Sequence, residues 1–157
     1  MCGLVVEYLV AIDVARILSH RMEELRQTDI SDQAFLALDS SRVRDIWVIG
    51  RRGPVQAAFT PVEARELMHL PDTEVELEAD ALNLDASSKK FLQEEAGKDT
   101  RKNIELLQGM LETPPRGMKK RLHLLFLASP VEILGKDGRV TGIKLRRNRL
   151  LEKPDGS

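Results

Sequence analysis

Arg51 and Arg52 are the residues of this chain whose type and setting point most directly to chemistry. They stand between Gly50 and Gly53-Pro54, directly after the apolar run Ile46-Trp-Val-Ile49. Two guanidinium groups present forked donors that hold a phosphate group through bidentate, charge-assisted hydrogen bonds. The flanking glycines allow a ligand to come close to the backbone. Position alone leaves solvated loop charge as an equal explanation.

The elements that must hold this loop follow from hydrophobic spacing. Gly3 to Val6 is short and β-branched, as in a buried strand. Val10, Val14, Ile17 and Leu18 recur at helical spacing, so residues 8–20 form an amphipathic helix. A weaker helical patch surrounds Ile30, Ala34, Phe35 and Leu38. Residues 45–50 are the cleanest strand, a continuous run suited to a parallel strand covered on both faces. Thr60-Pro-Val-Glu63 then starts a helix, with threonine at the N-cap, proline at the first position and glutamate closing a capping box. Pro71 stops that helix, and Glu74 to Glu78 alternates as a half-exposed strand. Ser87 to Glu112 reads as one or two helices broken near Gly97. Leu122–Leu127, Val131–Leu134 and Val140–Leu145 are three strand candidates, the last two joined by a hairpin turn at Lys136-Asp-Gly-Arg139. The expected fold is α/β, a Rossmann-like doubly wound parallel sheet with an added antiparallel element of those three strands.

In a doubly wound sheet the ligand lies outside the carboxyl ends of the strands. The arginines follow the second strand, where an NAD-selective site would carry an acidic residue for the ribose 2′-hydroxyl. Guanidinium groups at that place suit a 2′-phosphate instead.

Composition sets the outer limits. The 157 residues are 42% hydrophobic and 31% charged, the balance of one ordinary folded domain. No apolar run approaches the roughly 20 residues needed to cross a bilayer, and the first residues carry no secretory signal. Cys2 is the one cysteine, so no internal disulfide or thiolate metal site is available. His20, His69 and His123 are scattered, and Trp47 sits mid-strand as a core residue would. The net charge of −1 is segregated: residues 61–112 carry 13 acidic and 6 basic side chains, and residues 113–150 carry 2 acidic and 10 basic. Two solvated faces explain this better than a ligand surface. Lys119-Lys-Arg121 and Lys144 to Arg149 are likewise read as solvated strand ends ahead of an acidic-partner surface.

The stretch GRRGPVQAAFTPVEARELMHL (Gly50 to Leu70) resembles the NADP-selecting segment of the adrenodoxin reductase family of ferredoxin–NADP reductases. VAIDVARIL (Val10 to Leu18) resembles the helix after that family's glycine loop, and Thr28-Asp29-Ile30 and FLASPVEILGKDGRVTGIKL (Phe126 to Leu145) are similar as well. The resemblance covers nearly the whole chain in the right order. It implies an NADP(H)-binding domain over residues 1–150, inserted within a flavoprotein, and a tail over residues 151–157. It implies a parent enzyme passing electrons between NADPH, FAD and a ferredoxin-like iron–sulfur protein, in a bacterial cytoplasm or a mitochondrial matrix. Arg51 and Arg52 match the family's 2′-phosphate ligands, and Glu63 matches an acidic residue that contacts the nucleotide. Gln56 and Thr60 are weaker candidates for the cofactor wall.

Two departures stand against that match. The family's loop before VAIDVAR is of the type G-x-G-N, whose glycines let the backbone approach a pyrophosphate at a helix N-terminus. Here those positions read Val6-Glu7-Tyr8-Leu9, so Tyr8, Leu9 and the following Val10 occupy the cofactor-binding turn without glycine or asparagine. Flavin-binding segments are also expected on either side of this region and are not recognised in the chain. FAD is therefore expected for the parent enzyme only, with this chain alone not competent in catalysis. Two alternatives remain at this stage: a degenerate or truncated remnant that folds without nucleotide, and an anion- or nucleic-acid-binding module built on the basic last third.

Overall fold

The structure, a computed structural model, describes residues 8–151, the first three by their backbone alone. The expected first strand at Gly3–Val6 lies outside the described residues. Helices α1 (Tyr8–Ser19), α2 (Met22–Leu25) and α3 (Asp32–Asp39) precede strand β1 (Asp45–Ile49). A 3-10 turn at Pro54–Gln56 leads to α4 (Pro61–Met68) and β2 (Thr73–Leu77). Helices α5 (Ala86–Glu94) and α6 (Lys98–Glu112) follow, then β3 (Lys120–Leu125), β4 (Ala128–Lys136) and β5 (Arg139–Arg147).

β1, β3 and β2 form a parallel sheet in that spatial order, with β3 in the centre. β4 and β5 pair antiparallel in a separate two-stranded sheet. The α/β architecture with a parallel sheet and an added antiparallel element is therefore present, with one correction. Leu122–Leu127 does not join the antiparallel region but supplies the middle strand of the parallel sheet. The reason is burial: Leu122 and Leu124 are inside on one face and Leu125 on the other, which suits a strand flanked by two partners.

The main core lies on one face of the sheet. Ile46 and Val48 of β1 and Leu122 and Leu124 of β3 meet Ala11, Ile12 and Ala15 of α1, Ala64 and Leu67 of α4, and Leu107 and Met110 of α6. Ser19, the last residue of α1, is buried, and its carbonyl accepts from Thr73 Oγ1 at 3.3 Å. Lys120 Nζ donates to Leu18 O at 2.6 Å, a cation at a helix C-terminus, where the macrodipole favours it. Burial pushes this ammonium below the ordinary lysine value.

The opposite face carries polar and charged side chains among its apolar ones. Trp47 is half-buried and stacks on the His123 ring, with centroids 4.0 Å apart and planes 12° from parallel. His123 lies between two carboxylates, Asp45 at 3.0 Å from Nε2 and Glu76 at 3.1 Å from Nδ1. Arg121 reaches Asp45 at 2.7 Å. Towards the carboxyl ends this face becomes apolar again, where Ile49 and Leu125 pack with Ala128 at the base of the hairpin and with Leu145.

Candidate functional site at the carboxyl ends of the sheet

The loop from Gly50 to Gly53 leaves β1 at the carboxyl edge of the sheet, and both arginines are exposed. Its main chain is held closely. Gly50 N donates to Leu125 O at 2.7 Å, continuing the ladder one residue beyond β1. Ala128 N donates to Gly50 O at 3.0 Å, and Leu127 N donates to Arg52 O at 3.1 Å. The carbonyl between them, that of Arg51, accepts from Asn148 Nδ2 at 2.8 Å. Leu127 has φ of +52°, a left-handed conformation that leucine seldom adopts. That conformation belongs to the corner where the chain leaves β3 for β4.

Behind the loop, Pro54, Val55 and Phe59 are buried. Asn103 of α6 is buried too, and its Nδ2 donates to Phe59 O at 2.6 Å, fixing the path from the loop into α4. The capping box expected from Thr60 and Glu63 is formed. Glu63 N donates to Thr60 Oγ1 at 3.3 Å, and Thr60 N donates to Glu63 Oε2 at 2.7 Å. Both bonds that Glu63 accepts fall on Oε2, so the cap does not require the other oxygen. Gln56 turns its Nε2 to Ser88 at the start of α5, 3.5 Å away.

Tyr8, Leu9 and Val10 open α1, whose first turn contains no acidic residue. Val6 and Glu7 lie outside the described residues. The helix that should follow the glycine loop is therefore formed.

A cleft of about 350 Å³ opens beside the loop, lined by Gly53, Asp80, Asp85, Ser88, Arg147 and Asn148 among others. Ser88 N donates to Asp85 Oδ1 at 2.9 Å, and this bond holds the Asp85 carboxyl below its usual range. Arg147 is paired with Glu78. An acidic lining of this kind repels phosphate.

The basic stretches of the last third are largely engaged within the molecule. Arg121 meets Asp45, Lys144 meets Glu132 and Arg147 meets Glu78, while Lys120 caps α1. Among the described residues no group of three His, Cys, Asp or Glu is placed to hold a metal ion. No helix among them is long and apolar enough to cross a membrane.

Sequence reasoning located the arginines, Thr60 and Glu63, and it missed Asn148 and Leu127. Asn148 sits within a basic stretch and is 97 positions from the carbonyl that it holds, so no local pattern links the two.

No family profile matches the chain. It is 41% identical over 148 residues to NADPH-ferredoxin reductase FprA of Mycobacterium tuberculosis, covering 94% of this chain and 31% of that protein. It is 41% identical over 152 residues to the mitochondrial NADPH:adrenodoxin oxidoreductase of Bos taurus, covering 90% of this chain and 30% of that protein. The solved structure of Mycobacterium tuberculosis FprA in complex with NADPH superposes with a TM-score of 0.87 at 36% identity, over 98% of this chain and 33% of that one. The chain thus spans about a third of the length of the relatives it matches. Over nearly all of its residues, then, this chain is homologous to the NADPH-ferredoxin and NADPH:adrenodoxin reductases.

Proposed function

We propose that residues 1–150 are the NADP(H)-binding domain of an NADPH-dependent reductase of the ferredoxin and adrenodoxin type, with residues 151–157 as a tail. The observation that carries this reading is the exposed Arg51-Arg52 pair beyond β1, on a loop whose carbonyls are tied to the β3–β4 corner and to Asn148. A dianionic 2′-phosphate needs charged, forked donors, and two adjacent arginines on a loop with a tied main chain support this reading. Glu63 stands on the adjoining helix with one carboxylate oxygen beyond the needs of its cap. In this reading it contacts the nucleotide while still closing α4.

When bound, NADPH supplies a hydride. The protein supplies position and selectivity, and no side chain of this domain acts as acid, base or nucleophile. In the whole enzyme a flavin, FAD, would supply the hydride acceptor and the link to an iron–sulfur protein; the flavin is not expected on this chain alone. The setting is a bacterial cytoplasm or a mitochondrial matrix. The purified chain is accordingly expected to be colourless and without diaphorase activity, and a yellow protein carrying near-stoichiometric FAD would refute that.

The direct test compares 2′,5′-ADP with 5′-AMP by calorimetry at low salt, since neither ligand spans the altered diphosphate turn. Two hydrogen bonds to a charged phosphate contribute about 1.5–3 kcal/mol each, so a preference of at least about a hundredfold for 2′,5′-ADP is expected. Replacing Arg51 and Arg52 together by alanine should erase it. Equal binding of the two ligands by the unmodified chain would refute the reading.

A further inference from the structure

We propose that Asn148 is a positioning residue for the arginine loop, so that selectivity for a 2′-phosphate depends on a side chain at the base of the antiparallel hairpin. The proposal rests on the reading of Arg51 and Arg52 given above. Three successive carbonyls of the loop accept hydrogen bonds: Gly50 from Ala128 N, Arg51 from Asn148 Nδ2 and Arg52 from Leu127 N. Two of these donors are main-chain groups that any sequence would provide. The middle one is a side chain, and among these three ties it is the one that a side-chain substitution removes.

That tie acts at a sensitive place. The Arg51 carbonyl and the Arg52 N–H share one planar peptide. A hydrogen bond on its oxygen ties this peptide to the base of the hairpin, between the bonds on the Gly50 and Arg52 carbonyls, and so limits displacement of the main chain that carries both arginines.

Asn148 is itself held before any ligand arrives. Its backbone N donates to Leu127 O at 2.7 Å. Its Nδ2 donates to Ser129 Oγ at 2.8 Å, and the Ser129 hydroxyl donates back to Asn148 Oδ1 at 3.2 Å. A carbonyl only accepts, so the group facing Arg51 O must be the amide nitrogen, which settles the side chain's orientation. Ser129 lies on β4 and Asn148 directly after β5, so the base of the hairpin is a clamp on the loop. The left-handed Leu127 at the same corner places its own N–H against Arg52 O.

The experiment measures affinity for 2′,5′-ADP and 5′-AMP on the full chain and on four variants. Asn148→Leu keeps the approximate size and removes the donor. It should lower the preference for 2′,5′-ADP by roughly tenfold while 5′-AMP binding stays unchanged. Asn148→Gln, which carries the same donor, should retain most of the preference. Ser129→Ala unseats the amide without touching the loop and should lose roughly threefold. It keeps the proposal testable should the leucine variant not fold. The Arg51→Ala, Arg52→Ala double variant separates the two levels of argument. If it abolishes the preference while Asn148→Leu and Ser129→Ala keep the wild-type ratio, the clamp is refuted and the arginine reading stands. If the double variant keeps the preference, the arginine reading fails and the clamp falls with it. Equal loss of both ligands in Asn148→Leu would mean that the residue is merely structural, which also overturns the proposal.

Discussion

At the scale of single residues, the proposed function sets an arginine pair beside a turn without glycine. Val6, Tyr8 and Leu9 stand where the family resemblance implies G-x-G-N, and Glu7 adds a negative charge beside them. In that reading, side chains at those positions would hinder close backbone approach, and a carboxylate would repel a diphosphate. Lost donors and like charge together amount to a few kcal/mol, on the order of a hundredfold or more in affinity. Binding of NADP(H) by the unmodified chain is accordingly expected to be weak. The triple variant Val6→Gly, Tyr8→Gly, Leu9→Asn should bind it more tightly when the two are titrated side by side. Equal affinity, or tighter binding by the unmodified chain, would show that the turn is not the obstacle. The 2′-phosphate preference, being set by Arg51 and Arg52, should be alike in both proteins.

At the scale of elements, α4 is specified by its own first turn. Pro61 fits the first position because its missing N–H would have no partner there, and Thr60 and Glu63 satisfy the next donors reciprocally. Thr60→Ala should cost about 1 kcal/mol in urea unfolding, and it also removes the hydroxyl hydrogen bond to Glu63 while leaving the one from the residue-60 N–H. The measurement that separates the two effects is the 2′,5′-ADP affinity of the folded variant, which should change far less than its stability. The hairpin behaves in the same local way: Asp137 and Gly138 both have positive φ, at +53° and +72°, the pair that a tight turn matched to strand twist demands. Gly138→Val places a β-branched residue in that left-handed conformation. It should destabilise by about 1–3 kcal/mol, read from the shift in the unfolding midpoint.

At the scale of the whole molecule, the sheet has one apolar face and one face crossed by charge. Leu122 is fully buried at the centre of the first, so Leu122→Ala should cost about 2–5 kcal/mol in the transfer of its methyl groups and in the cavity left behind. The second face makes stability depend on pH. Asp45 is held below its ordinary value, chiefly by the hydrogen bond with His123 and further by the charge of Arg121. A carboxyl with a lower value folded than unfolded contributes stability above the ordinary range. That contribution is lost as the pH falls through the depressed value. Acid unfolding followed by tryptophan fluorescence, with Trp47 stacked on His123 as the probe, should therefore show a limb below about pH 4. Asp45→Asn should lower stability at neutral pH and flatten that limb. An unchanged limb would mean that other carboxylates dominate.

What the sequence determined by itself is what nearest neighbours decide. Helical spacing placed α1, the break near Gly97 separated α5 from α6, and the caps and turn at Thr60, Asp137 and Gly138 follow from local backbone chemistry. The arginine pair was legible because residue type, flanking glycines and the preceding strand lie within a few positions of one another. Pairing was decided only by the tertiary structure. Leu122–Leu127 stands next in sequence to two hairpin strands, and local order assigns it to them. Burial of Leu122 and Leu124 against the main core, and of Leu125 on the other face, draws it between β1 and β2 instead, across crossovers that no short pattern encodes. The second face of the sheet was equally hidden, since Asp45 and His123 become neighbours only through that register. Asn148 shows the same limit at the site itself. A carbonyl accepts from whichever donor the fold brings within reach, and here the fold brings one from 97 positions away.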